Sequence, residues 1–389
     1  MHLSITVLAA LFAALALCGF GYQFLVIAGI AGFRRLLKRQ PAAVVMPPIS
    51  ILKPLRGSDP HMYEAFRSHC LQDYPEFELI FGVIDENDPA AAEVRRLQRE
   101  FPAQPIKLIL CSEALGTNRK VSTLAQLLPQ ARHELILVND SDILVPPNYL
   151  RRVAAGFAGR RPGTNSIGLV TALYRALPGS TLASRLEALS IATEFIGNVL
   201  GALVYERKLT FGLGSTLAVP RQALQAIGGW NPILDYLADD YELGNRLARA
   251  GFQVVLSTVV VQTALPNARF AEMFQHQLRW ARTIRDRRLR GYIGLGVSHA
   301  VPWALLACLC AGLAPWSLWL LLAVAGLRFA VAGALCRSVL DDKESSLNLW
   351  LLPLRDVVGW LVWITSFVGD TVQWRGETFR LRAGKLTKI

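Results

Sequence analysis

The chain is poor in the features that usually identify a function quickly. Its six cysteines, Cys18, Cys70, Cys111, Cys308, Cys310 and Cys336, include no C-x-x-C pair. A structural zinc knuckle and a disulfide framework are therefore excluded, and the thiols read as small buried hydrophobes. There is no internal repeat and no low-complexity linker, which excludes a solenoid and a disordered hub. Zinc-finger spacing, an RRM aromatic signature and a recognition-helix pattern are also missing. The net charge of +12 and pI of about 9.7 thus gain no support as a nucleic-acid footprint. Charge is absent from Leu3 to Phe33. No Lys or Arg precedes that stretch and no small-x-small site follows it, so it does not read as a cleaved signal peptide.

What is abundant is apolar surface, 52% of residues, at a mean hydropathy of +0.34. The excess sits at the two ends. Leu3 to Phe33 exceeds the roughly 20 residues a bilayer needs, and the flank Arg34-Arg35-Leu36-Leu37-Lys38-Arg39 is basic. Positive flanks stay on the cytoplasmic side, which predicts an anchor over 1–33 and a cytosolic domain over 41–297. A second apolar block, about His299 to Arg337, suits two tight spans with Pro315 near the hairpin. Leu347 to Val372 carries Arg355-Asp356, and charge at mid-depth is expensive in lipid. That segment reads as re-entrant or interfacial, and the basic tail through Lys388 as cytosolic. Arg282, Arg285, Arg287, Arg288 and Arg290 add a basic face ahead of the spans, suited to anionic headgroups.

Between the ends, short apolar runs alternate with amphipathic stretches. Ile49 to Leu52, Glu78 to Ile84, Ile106 to Leu110 and Leu135 to Val138 read as strands; Pro89 to Phe101 and Lys120 to Leu128 read as helices. The second half adds strands at Ile167 to Thr171 and Val254 to Leu256, and helices at about Thr181 to Leu200 and Ala268 to Leu289. This alternation predicts an α/β domain with a mostly parallel sheet and helices on both faces. Ligands bind such sheets at the carboxyl ends of the strands. Lys53, Asp85 and Asp140-Ser141-Asp142 all fall there. Two carboxylates one residue apart suit Mg2+ or Mn2+, hard cations that bridge to diphosphate oxygens, although acidic turns after strands are common.

Asp85, Asp140-x-Asp142, Asp239-Asp240 and Leu278-Arg279-Trp280 occur in that order. The set resembles the D, DxD, D and (Q/R)xxRW pattern of family-2-type glycosyltransferases with the GT-A fold. Local words carry the resemblance further. Ile51-Leu52-Lys53-Pro54-Leu55-Arg56-Gly57, Asp73-Tyr74-Pro75 and Gly116-x-Asn118-x-Lys120 are similar to ceramide glucosyltransferases of family 21. Ala238-Asp239-Asp240-Tyr241 and His276-x-Leu278-Arg279-Trp280-Ala281-Arg282-Thr283-Ile284-Arg285 look most like the bacterial, hopanoid-biosynthesis-associated branch of that group.

The resemblance implies a GT-A nucleotide-sugar-binding domain between membrane helices, and a metal-dependent, inverting transfer from a UDP-sugar to a membrane lipid. In that scheme Asp142, assisted by Asp140, holds the cation, and Asp85 contacts the nucleoside. Lys53 is assigned to substrate binding. Lys120 pairs with a phosphate or orients Asp85; a solvated helix face explains it equally well. Asp240 is the expected base, with Asp239 as the other candidate, while the same pair also suits a plain helix start. Arg279 offers donors to the leaving diphosphate and Trp280 walls the pocket, or the two anchor a helix at the headgroups. His276 departs from the family's Gln or Arg and is assigned to substrate binding. The Thr181 to Leu200 stripe is either core or the lipid's way in.

Overall fold

The computed structural model describes residues 2–38, 45–158, 166–374 and 376–389. Arg39, Arg375 and the domain boundary near residue 41 lie outside them. Eight strands form the main sheet: β1 (Ile49–Pro54), β2 (Phe77–Val83), β3 (Ile106–Leu110), β4 (Leu135–Val138), β5 (Ile143–Leu144), β6 (Ile167–Leu177), β7 (Leu217–Pro220) and β8 (Gln253–Ala264). Their order is β3-β2-β1-β4-β7-β6-β8-β5. Pairing is parallel for β1/β2, β2/β3, β1/β4 and β6/β8, and antiparallel for β4/β7, β6/β7 and β5/β8. The all-parallel first half is as expected. β6 and β8 run well past the expected Ile167–Thr171 and Val254–Leu256. The antiparallel β7 follows from its connection. The chain leaves β6 for a long helix and returns through Gly212-Leu213-Gly214-Ser215, starting β7 beside the carboxyl end of β4, with Leu217 opposite Val138.

Strands covered on both faces need apolar residues at consecutive positions. β4 meets this with four buried residues, Leu135 and Leu137 toward the layer of Phe66, Leu97 and Val153, and Ile136 and Val138 toward that of Leu124, Trp230 and Leu243. Local chemistry sets the helix starts. Asp88 caps Pro89–Glu100 by accepting from Ala90 N (2.9 Å), and Asn118 caps Arg119–Leu127 by accepting from Val121 N (3.2 Å).

Among the described residues, four helices are long and apolar enough to cross a membrane: Ile5–Lys38, Leu182–Glu206, Pro315–Val339 and Leu349–Ser366. Leu182–Glu206 extends the predicted Thr181–Leu200 helix to membrane length, with a π-turn at Ile191–Phe195. It packs on the N-terminal helix at Gly29, where a Cβ would lie 2.6 Å from the Leu200 carbonyl oxygen. Ala300–Cys310, in the block read as two tight spans, has 11 residues, about 16 Å of helix against a 30 Å hydrocarbon core. It joins Leu289–Ser298 at a 60° bend.

Arg355 and Asp356 do not pair with each other. Arg355 bonds Glu194 and, at 2.6 Å, Ser190 Oγ. Asp356 takes a two-pronged bond from Arg328 (3.0 and 2.8 Å), which also donates to the Thr193 carbonyl (3.0 Å). The charges that marked this segment as awkward for lipid thus bind three helices together.

The tail folds into a three-stranded antiparallel sheet, β9 (Thr371–Trp374), β10 (Glu377–Arg382) and β11 (Lys385–Lys388). It docks on the α/β domain through Leu237 N to Gly384 O (3.1 Å) and Leu386 N to Asp235 O (2.8 Å). One expectation is corrected: the arginine face is largely consumed. Arg282 and Arg285 donate to carbonyls of 366–371, Arg287 pairs with Glu242 and Ala383 O, and Arg288 with Glu206. Guanidinium groups satisfied by carbonyls and carboxylates have little left for headgroups; a sequence shows the charges but not their partners.

Breaking one side of a buried pair strands the other charge, at about 3–5 kcal/mol, while replacing both with apolar residues can be neutral. Arg328→Met and Asp356→Leu alone should therefore each lower the thermal unfolding midpoint in detergent sharply, and the double variant should recover most of the loss.

Candidate active site

Asn139, directly after β4, is fully buried. Its amide donates to Tyr149 Oη (2.8 Å) and to Ser215 O (2.6 Å). It fastens the Asp140-Ser141-Asp142 turn to the glycine turn before β7. Gly214 closes the approach: a Cβ there would sit 3.2 Å from Asp140 Oδ2 and 3.4 Å from Asp240 Oδ2. Asp240, at the start of Asp239–Arg249, accepts from Gly214 N (2.9 Å) and Tyr241 N (2.7 Å). Lys120 links the sides, its Nζ lying 2.8 Å from Asp140 Oδ1 and 3.0 Å from Asp239 Oδ2. The Gly116-x-Asn118-x-Lys120 word gains a reason. The 234–236 loop crosses so close that a Cβ on Gly116 would be 2.6 Å from Leu234 Cβ, and Asn118 Nδ2 donates to Tyr236 O (2.7 Å).

The electrostatics follow from burial. Asp240 is pushed up to about 6 by burial and then by the Asp239 charge, with Lys120 opposing. Asp142 is likewise raised to about 6 by burial and by Asp140, although the Thr263 hydroxyl donates to it. Burial works against the Lys120 ammonium, but Asp140 and Asp239 outweigh it and hold its pKa above the ordinary lysine value. Lys120 is thus a fixed cation among the carboxylates, not a solvated helix face.

One assignment is corrected. Lys53 does not face a ligand: it is fully buried beneath the acidic turn, donating to Asp140 O (3.0 Å), and burial lowers it to about 7 against the pull of Asp142 and Asp140. Asp85 is exposed next to the cleft residue Ile84 and accepts from Asn87 N (2.9 Å) within its own turn. The remaining expected residues, Asp140, Asp142, Asp239, Asp240, Lys120, His276, Arg279 and Trp280, all line one cleft of about 1700 Å³. Its far wall is supplied by Tyr22 and Leu25 of the N-terminal helix and by Asn198, Val199 and Tyr205 of Leu182–Glu206. Gln373, Trp374 and Thr378 of the tail form its rim. Sequence reasoning missed Glu187, Tyr174, Asn139 and Thr263. None stands in a recognisable motif; only the glycine turn that Asn139 grips was visible as punctuation.

Among the described residues, no group of three or more His, Cys, Asp or Glu is arranged to hold a metal. Asp140 and Asp142 nonetheless suit one. Two hard carboxylates whose mutual repulsion already raises Asp142 would be relieved by a divalent ion, and Mg2+ or Mn2+ normally completes its shell with water and substrate phosphates.

A mixed sheet with a paired-aspartate turn at the end of a central strand, facing a second acidic helix start, defines a glycosyltransferase of the GT-A type. Over residues 11–387 the chain matches Glycosyl transferase family 21, and it belongs to that family. It is 23% identical to ceramide glucosyltransferase 3 of Caenorhabditis elegans over 87% of this chain and 74% of the relative. To beta-monoglucosyldiacylglycerol synthase of Synechocystis it is 26% identical over 54% of this chain and 42% of the relative. Among solved structures, a mannosyltransferase from Pyrobaculum calidifontis in complex with GDP-Man and Mn2+ shares the fold, at a TM-score of 0.52 and 20% identity, covering 92% of this chain and 98% of that one.

Lys120→Met should cost at least tenfold in turnover. Because Lys120 opposes the rise of Asp240, its removal should also move the acid limb of the pH–rate profile up by about one unit, measured as nucleoside diphosphate release.

Proposed function

We propose that the protein transfers a sugar from a UDP-sugar to a hydroxyl of a membrane lipid, with inversion at the anomeric carbon. One observation carries this reading: the acidic cluster and two membrane-length helices line the same cleft. A lipid head group can reach the carboxylates there while its tail stays against apolar helix. The preferred donor and acceptor are UDP-N-acetylglucosamine and a polyhydroxylated hopanoid such as bacteriohopanetetrol, on the resemblance of the Asp239-Asp240 and Arg279-Trp280 words. The match to a ceramide glucosyltransferase over 87% of this chain favours UDP-glucose and ceramide as the second reading.

In the proposed reaction the lipid hydroxyl oxygen attacks the anomeric carbon as the bond to the diphosphate oxygen breaks. UDP leaves with that electron pair, and the hydroxyl proton passes to Asp240. A carboxylate poised near 6 is ionised at neutral pH yet basic enough to accept it. Asp239 is fixed by Lys120, which supports Asp240 as the base. Arg279 and Lys120 bring positive charge to the cleft on the leaving-group side. A divalent cation at Asp140 and Asp142 supplies neutralisation of the diphosphate when bound.

The proposed organisation keeps an anchor at 1–33, a cytosolic domain over 41–297 and a membrane region over 298–389, in a bacterial inner membrane. The docked tail supports it: β11 bonds the 235–237 loop, so the chain between that domain and the tail crosses the bilayer an even number of times. Two crossings plus a segment that does not traverse satisfy this.

With purified protein in lipid nanodiscs, Asp240→Asn and Asp142→Ala should each reduce UDP release by at least about a thousandfold, and chelation should mimic Asp142→Ala. Wild-type turnover should fall as pH drops through about 6, since protonated Asp240 cannot accept a proton. Equal turnover in wild type and both variants would instead indicate a scaffold with a transferase fold. Mass spectrometry of lipids from cells with and without the gene identifies the acceptor; loss confined to sphingolipids would overturn the hopanoid assignment.

A further inference from the structure

Glu187 is a buried carboxylate in the second turn of the Leu182–Glu206 helix, an unexpected residue type on a membrane-length apolar segment. Its partner is His276, on the catalytic Phe270–Arg287 helix, through Nδ1. Both side chains line the cleft. A carboxylate at Nδ1 requires a proton there, which leaves Nε2 of the neutral ring as an acceptor. No other hydrogen bond holds the ring among the described residues. The imidazole packs edge-on against Trp280 (5.0 Å between centroids), Trp280 against Phe195 (5.7 Å) and Phe195 against Tyr174 (5.5 Å). Tyr174 feels the charges of both Asp240 and Glu187. A continuous run of rings therefore leads from the Asp240 side of the cleft to the Glu187–His276 pair.

We propose that Glu187 is a positioning residue for the acceptor, fixing His276 so that Nε2 takes a hydrogen bond from a hydroxyl of the lipid head group lying along these rings. This assignment rests on the lipid-acceptor reading above and names the contact that reading lacks. The site selects lipids whose head group carries a hydroxyl besides the one that attacks, because Asp240 already serves the attacking oxygen. It also places recognition at the seam between the helix the lipid passes and the helix that carries Arg279 and Trp280. A misplaced head group is then rejected before transfer.

The test is steady-state kinetics of the full-length protein in mixed micelles, with bacteriohopanetetrol and a short-chain ceramide each as acceptor. His276→Phe keeps a ring against Trp280 and removes both nitrogens; Glu187→Leu removes the anchor; Glu187→Gln keeps an acceptor for Nδ1–H. For the acceptor on which the wild type is active, KM should rise at least about tenfold in His276→Phe and Glu187→Leu, and less in Glu187→Gln, as expected for one lost hydrogen bond. The KM for the nucleotide sugar should move less than twofold. Unchanged acceptor KM in all three variants overturns the assignment and leaves the lipid-acceptor reading standing. Parallel changes in both KM values and in kcat show a merely structural pair and overturn it as well. A wild type that glycosylates neither lipid while releasing UDP overturns the lipid reading, and this assignment with it.

Discussion

Everything in the cleft depends on one buried ammonium. Lys120 stands between Asp140, which ends the first half of the sheet, and Asp239, which opens a helix of the second half. Without a cation, those carboxylates and Asp240 would repel one another in a site where burial already penalises their charge. With it, the two halves of the domain are joined at the point where chemistry requires clustered negative charge. The balance is incomplete: Asp142 and Asp240 remain raised.

The same principle operates among the apolar helices. Arg328 with Asp356 and Arg355 with Glu194 lock three long helices around the domain. In lipid such pairs are tolerated because each charge meets an opposite one inside the bundle. They fix the Leu182–Glu206 helix, and with it the wall of the cleft. The same membrane-length helix presents Phe195, Asn198 and Glu187 to the cleft.

Much of this was readable in one dimension. The four strands of the first half stand out as short apolar runs between amphipathic stretches. The acidic words Asp140-Ser141-Asp142 and Asp239-Asp240 survived as cleft residues. Long-range partners were not readable. Lys53 looked like a substrate-side lysine because it follows a strand, yet it lies under the turn it was expected to flank. The Arg282–Arg290 run looked like a headgroup surface, and most of it is spent on carbonyls of 366–371, on Ala383 O, and on Glu242 and Glu206.

The sequence by itself determined the chemistry available: which strands are buried, which residues are acidic at their ends, and which segments prefer lipid. Hydropathy, strand periodicity and capping are properties of neighbours along the chain, so they are written there. Only the tertiary structure decided which charges cancel. It paired Lys120 with Asp239, 119 residues further along the chain, gave Glu187 to His276, and folded the tail against the transfer domain. Pairing energy depends on distance in space and on the loss of water around each group, and neither quantity exists until the chain has packed.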